Sequence, residues 1–227
     1  MKENRKHSTG RVAVSGGIEA TVKHNMARHH LAGARFLAER AVDIEATLLT
    51  AEAKDEADKS KQRTYVVGAV VLAVMGLEAC INEVYLDAYD KNMQTLTGLD
   101  ERETALLAEW WEEMEPRPLL LKYQHALLLV GRGAFPRGEN PYQDTDSLVR
   151  LRNALTHYKP EWDDSLDVHA DLQARLTGKF DLNPLATGSH LWFPHQCLGS
   201  GCAKWAVVTA EAVVTEFCAR LGISKRI

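Results

Sequence analysis

Cysteine is scarce in this chain. Four residues, Cys80, Cys197, Cys202 and Cys218, are spread over 227 positions. That number and spread exclude a disulfide framework as the source of stability. The chain must rely on a buried core, and it is long enough to form one. Charge of one sign is not in excess either. A net charge of −4 excludes a generally basic nucleic-acid coat, so any such contact must come from a local patch. The N-terminus, MKENRKHSTGR, carries charge with no apolar stretch behind it, so no secretory signal is expected. The most apolar run, YVVGAVVLAVMGL at residues 65–77, is followed at once by Glu78. It falls short of the roughly 20 apolar residues a membrane span needs, and is expected to be a buried central helix. These absences together predict a cytoplasmic, reduced protein with no membrane contact. Strand signals are weak: RVAV near the start and HLWF at 190–193 are too short to build a sheet. No internal repeat appears, and no boundary divides two cores.

What is present is helical pattern. The first 20 or so residues are polar and basic, and are expected to form a flexible tail. From Thr21 to about Ala57, Leu31, Ala34, Leu37, Ala38, Ala41, Ile44 and Leu48 recur at three- and four-residue steps. A second long helix is predicted over about Lys61 to Asn92. Its first half is apolar all round and so central, and its second half is amphipathic. Asp100 is the candidate N-cap of a third helix, DERETALLAEWWEEM, which Pro116 and Pro118 end. A fourth, LLLKYQHALLLV, stops at Gly131. The segment GRGAFPRGENPYQ is loop. Helix five runs from about Thr145 to Tyr158, with Asp144 or Asp146 as cap. A short helix is expected over Ser165–Leu176 and a last one over Gly201–Leu221. The fold class is therefore all-α, an antiparallel helical bundle, with residues 21–227 as one domain that ends in a helical extension.

The most informative stretch is LVRLRNALTHYKPEW, residues 148–162. Leu148, Leu151 and Leu155 make the core face of helix five. Asn153 and His157 are four apart and share a face. Arg152 and His157 are five apart, roughly 140° around an ideal helix, so on a straight helix they diverge. Pro160 ends the helix at Tyr158 or earlier. His157 is then in the last turn, where its imidazole is able to swing toward Arg152 or to meet the same motif of a second subunit.

The hexamer Arg152-Asn153-Ala154-Leu155-Thr156-His157 fits R-N-x-x-x-H. With a Gly/Pro loop before the helix, leucines inside it and a proline after it, the stretch resembles the HEPN superfamily. Those helical domains carry an R-x(4–6)-H motif, usually with a polar residue after the arginine. The resemblance covers the hexamer closely and the helical order of about residues 60–160 loosely. It implies an HEPN-like bundle and a metal-independent endoribonuclease in a prokaryotic defence or toxin–antitoxin setting. It also implies a site formed where two motifs meet across a homodimer, and an antitoxin or regulatory partner. No cofactor and no metal are implied. Arg152 would hold the scissile phosphate, His157 would act as general acid or base, and Asn153 would support it.

The residue types suit that chemistry. Cleaving RNA without metal needs a base for the 2′-hydroxyl proton and an acid for the leaving oxygen, and histidine serves as either. Charge growing on the phosphate needs a fixed cation, and arginine offers a bidentate fork. The alternative is a non-catalytic helical dimer that binds a nucleotide, RNA or a protein partner.

Other candidates have blander explanations. Glu78 and Asn82 are possible supports for Arg152 or His157, but a polar helix face emerging into solvent explains them as well. His190, His195, Cys197 and Cys202 follow H-x4-H-x-C-x4-C, which matches no common zinc spacing. The basic residues Lys2, Arg5, Lys6, Arg11, Lys23 and Arg28 suit an RNA-contacting arm or a solvated tail. Trp110-Trp111 suits a half-buried helix face or a partner interface.

Overall fold

The computed structural model describes residues 10–14, 18–52, 55–159, 169–188 and 191–224. Seven α-helices dominate these residues: α1 (Ala27–Thr50), α2 (Glu56–Tyr89), α3 (Glu101–Met114), α4 (Leu119–Leu129), α5 (Tyr142–Thr156), α6 (Ala170–Leu176) and α7 (Ser200–Leu221). The protein is all-α apart from one small hairpin near the N-terminus. There β1 (Gly10–Val14) pairs antiparallel with β2 (Ile18–Val22), Val12 opposite Ala20. RVAV thus finds a partner in IEATV, another short segment rich in β-branched residues, inside the region expected to be a tail. Residues 189 and 190 lie outside the described residues, and Trp192–Gln196 of the HLWF region forms a π-turn leading into α7.

Several boundaries move for identifiable reasons. Thr21 and Val22 belong to β2, so α1 starts later than its periodicity indicates. It starts where a carboxylate is waiting: Glu83 Oε1, on α2, accepts the Met26 and Ala27 backbone N–H groups at 2.7 and 2.8 Å. The charged stretch after α1 largely belongs to α2, whose N-cap Asp55 accepts the Ala57 N–H at 3.0 Å. Asp100 does cap α3, in a reciprocal capping box with Glu103. Helix α5 begins earlier than expected, at Tyr142, and neither Asp144 nor Asp146 is its cap. Asp144 pairs with Lys179, and Asp146 pairs with Arg150 at 2.9 Å. The expected start of the sixth helix at Ser165 lies outside the described residues.

Helix α2 is the hub. Helices α1, α3, α4, α5 and α7 all pack on it. Its first half carries no charge between Tyr65 and Leu77, so it is able to meet neighbours on several sides. A Cβ added at Gly76 would lie 2.6 Å from the Leu31 side chain, so glycine there lets α1 lie close. One hydrophobic core draws on every helix, from Leu31 and Ala34 on α1 through Leu148 and Leu151 on α5 to Val213 and Phe217 on α7. By length and composition alone α2 is apolar enough to cross a membrane. Half of its most apolar 18-residue window is buried in this fold, and the other half is not.

Candidate functional site

Helix α5 presents the motif. Leu148 and Leu151 are fully buried and fix the helix against α2 and α7. The helix stays regular through Thr156, and the His157 N–H still donates to the Asn153 carbonyl at 2.9 Å. His157 is therefore the C-cap, and its side chain is exposed. Because the helix does not unwind, the 100° step per residue holds to the end. Asn153 and His157 share one exposed face. Arg152 lies on the adjacent face and is half-buried. No hydrogen bond joins Arg152 to His157 among the described residues.

Arg152 has an unusual environment for an arginine. Its Nε is buried without a hydrogen-bond partner, and no carboxylate pairs with it among the described residues. The nearby Arg150 is different: it donates to Asp146 at 2.9 Å. On the Asn153 face, a cavity of about 310 Å³ opens between α5 and α6, lined by Arg150, Asn153, His169 and Arg175. Arg175 reaches Asp146 at 3.7 Å and Asp171 at 3.8 Å, so this wall is basic but internally balanced.

Glu78 and Asn82 do come together, on a different partner. Lys122 Nζ donates to Glu78 Oε1 at 2.5 Å and to Asn82 Oδ1 at 2.9 Å. The lysine side chain is only 2% exposed, so the two α2 residues satisfy a buried ammonium. Neither is bonded to Arg152 or His157. Beside them the Tyr85 hydroxyl lies 3.2 Å from His125 Nδ1, and the Trp110 ring meets the His125 ring at 4.9 Å. Burial pushes the Tyr85 phenol up and holds His125 below its ordinary value. Pattern reading had a signal for this cluster that went unused: Lys122 is the one charge in LLLKYQHALLL, and a lone charge in an apolar helix demands a partner.

The four cysteines are buried, and none of them forms a disulfide among the described residues. Hydrogen bonding to Cys197, together with burial, pushes the Cys202 thiol well up, so it stays protonated. His195 faces Arg63 rather than the cysteines: an Arg63 Nη2 N–H points at His195 Nδ1, 3.3 Å away. No group of three or more metal-ligating side chains occurs among the described residues, and His190 lies outside them.

No family model, curated protein or solved structure matches this chain. The fold defines an all-α helical domain.

Proposed function

We propose that this protein is a metal-independent endoribonuclease of HEPN type that acts as a homodimer in the cytoplasm, in a defence or toxin–antitoxin setting. The observation that carries the reading is Arg152, a cation on the motif helix that has no carboxylate partner and leaves its Nε unsatisfied among the described residues. An arginine kept for stability normally has a partner, because leaving a buried donor unmade is costly. A scissile phosphate supplies what Arg152 lacks, through charge-assisted bonds that strengthen as charge develops on the phosphoryl oxygens.

The step needs two proton movements. One His157 takes the 2′-hydroxyl proton as the oxygen attacks phosphorus, and a second His157 gives a proton to the departing 5′-oxygen. The products are a 2′,3′-cyclic phosphate and a free 5′-hydroxyl. One chain supplies one such histidine, so the reading requires a second copy to complete the set. Support for a second copy comes from a partly exposed apolar face. Met75 and Tyr89 on α2, Leu121 and Leu128 on α4 and Trp110 on α3 are exposed, and the Lys122 and His125 contacts tie these helices side by side.

The test uses purified wild type, Arg152→Gln, His157→Ala and Leu128→Glu, each incubated with total RNA and tRNA in EDTA. Cleavage by wild type alone, with Leu128→Glu monomeric and inactive, supports the reading. Equal cleavage by wild type and His157→Ala removes α5 from the chemistry. RNA binding without cleavage by any of the proteins favours the non-catalytic helical dimer.

A further inference from the structure

A second arginine–histidine pair lies away from the motif, and its setting differs from that of an ordinary surface contact. Arg63 comes from the second turn of α2, and His195 from the π-turn before α7, 132 residues later. Arginine has only donors, so the 3.3 Å contact makes His195 Nδ1 the acceptor. The imidazole proton then sits on Nε2. Arg63 makes no ion pair among the described residues; its partner there is an imidazole nitrogen rather than a carboxylate.

The walls around the pair are fixed. Asn183 Nδ2 donates to the His195 carbonyl at 3.1 Å, and the Asn183 N–H donates to the Gln196 carbonyl at 2.8 Å. Asn183 Oδ1 in turn accepts the Leu185 N–H at 3.0 Å, which sews the 183–187 loop to the π-turn. On the α2 side Gln62 is buried and held by Glu45 at 2.9 Å. These elements enclose a cavity of about 240 Å³, lined among others by Lys59, Arg63, Asn183, Thr187 and His195. That is below the roughly 300 Å³ at which pockets begin to take drug-sized ligands, so the space suits a small group. Its donors are the free N–H groups of Arg63, His195 Nε2–H, the Thr187 hydroxyl and the Lys59 ammonium. Glu56 is the only acid in the lining among the described residues. It engages Lys59 at 2.5 Å in a pair whose carboxylate is 83% exposed, so Lys59 is readily shared with a stronger anion.

We propose that this cavity is a phosphate-monoester site. Arg63 and Lys59 neutralise the dianion, and His195 Nε2–H and Thr187 direct hydrogen bonds at its oxygens. The choice of a monoester over a diester rests on charge and space. Two cations with two neutral donors match a dianion, and a recess of this small volume accepts a terminal phosphate more readily than one flanked by two chains. The inference is independent of the reading of α5.

Side-chain and backbone NMR of the full chain tests it. Sodium phosphate is titrated against sodium chloride at matched ionic strength. Adenosine monophosphate follows, then a short oligonucleotide with and without a 5′-phosphate. The expected result is saturable perturbation of His195 Nε2, Arg63 and Asn183 by phosphate. Arg63→Gln is expected to weaken it about ten-fold or more, as loss of a charge-assisted pair requires, and Lys59→Gln to weaken it less. Arg152→Gln leaves it unchanged. If monophosphate and 5′-phosphorylated oligonucleotide bind more tightly than inorganic phosphate, the site reads an esterified end; if they bind no better, it takes the free ion. No saturable shift, binding retained in a folded Arg63→Gln variant, or equal binding of the oligonucleotide without its phosphate overturns the proposal.

Discussion

Glu45 on α1 and Ser200 at the start of α7 are 155 residues apart and bonded twice. Glu45 Oε2 accepts the Ser200 backbone N–H at 2.8 Å, and Oε1 accepts the Ser200 hydroxyl at 2.6 Å. Gln62 adds a third bond at 2.9 Å. A carboxylate buried to 7% exposure survives here because three donors and the positive end of α7 replace its hydration. The contact also locks α1, α2 and α7 at the base of the cavity that holds Arg63 and His195.

Replacing Glu45 should therefore reach well beyond one side chain. Glu45→Ala leaves the Ser200 N–H and hydroxyl without their acceptor and leaves Gln62 only the Leu198 carbonyl at 3.4 Å, at an expected cost of about 2–4 kcal/mol. Glu45→Gln, which keeps an acceptor oxygen, should cost about half of that. Urea denaturation measures both, and equal midpoints for wild type and Glu45→Ala would contradict the capping role.

The pair at Lys122 should behave asymmetrically. Breaking a fully buried ion pair typically costs about 3–5 kcal/mol. The Glu78 side chain is 38% exposed and Asn82 remains, so Glu78→Ala is expected to cost about 2 kcal/mol. Lys122→Met removes the buried charge at similar volume and should cost less. Combining the two should be milder than the sum of the single changes, by about 1 kcal/mol in a double-mutant cycle. Strict additivity would mean that the contact contributes nothing.

Arg152 offers a test that separates a functional from a structural role. Its Nε gains nothing from the fold, so Arg152→Met should leave the melting temperature unchanged or raise it by a few degrees. RNA cleavage should be lost in the same protein. A drop of more than about 5 °C would show that the guanidinium stabilises the fold after all.

His125 sets a pH dependence of known sign. Burial lowers its pKa below the ordinary 6.5, so as pH falls the unfolded chain takes up the proton before the folded one. Its contribution to stability is complete above 6.5 and is lost as pH falls below that value and through the folded pKa. Denaturation midpoints measured across this range should fall more steeply for wild type than for His125→Gln. Identical slopes would rule out this histidine as a contributor.

Much of the helical order was legible from residue pattern. The Asp100 and Glu103 capping box, the stop at Gly131 and the apolar periodicity of α1 and α7 are local signals, and the helices follow them. Local signals failed where the decisive partner is remote. The start of α1 is set by Glu83 across the bundle. The aspartates beside α5 read as caps, yet Lys179 and Arg150 engage them. RVAV is too short to be a sheet alone, and becomes one only because IEATV folds back on it.

The candidate site divides in the same way. The sequence by itself determined that Asn153 and His157 share a helix face and that Arg152 does not, because helical geometry depends only on spacing. It also determined that Pro160 follows close behind the end of α5. Only the tertiary structure decided that Arg152 has no counter-ion among the described residues, that Glu78 and Asn82 serve Lys122, and that Arg63 meets His195. Each of these depends on which charged groups packing brings within about 4 Å, and that distance is set by the whole core rather than by any stretch of chain.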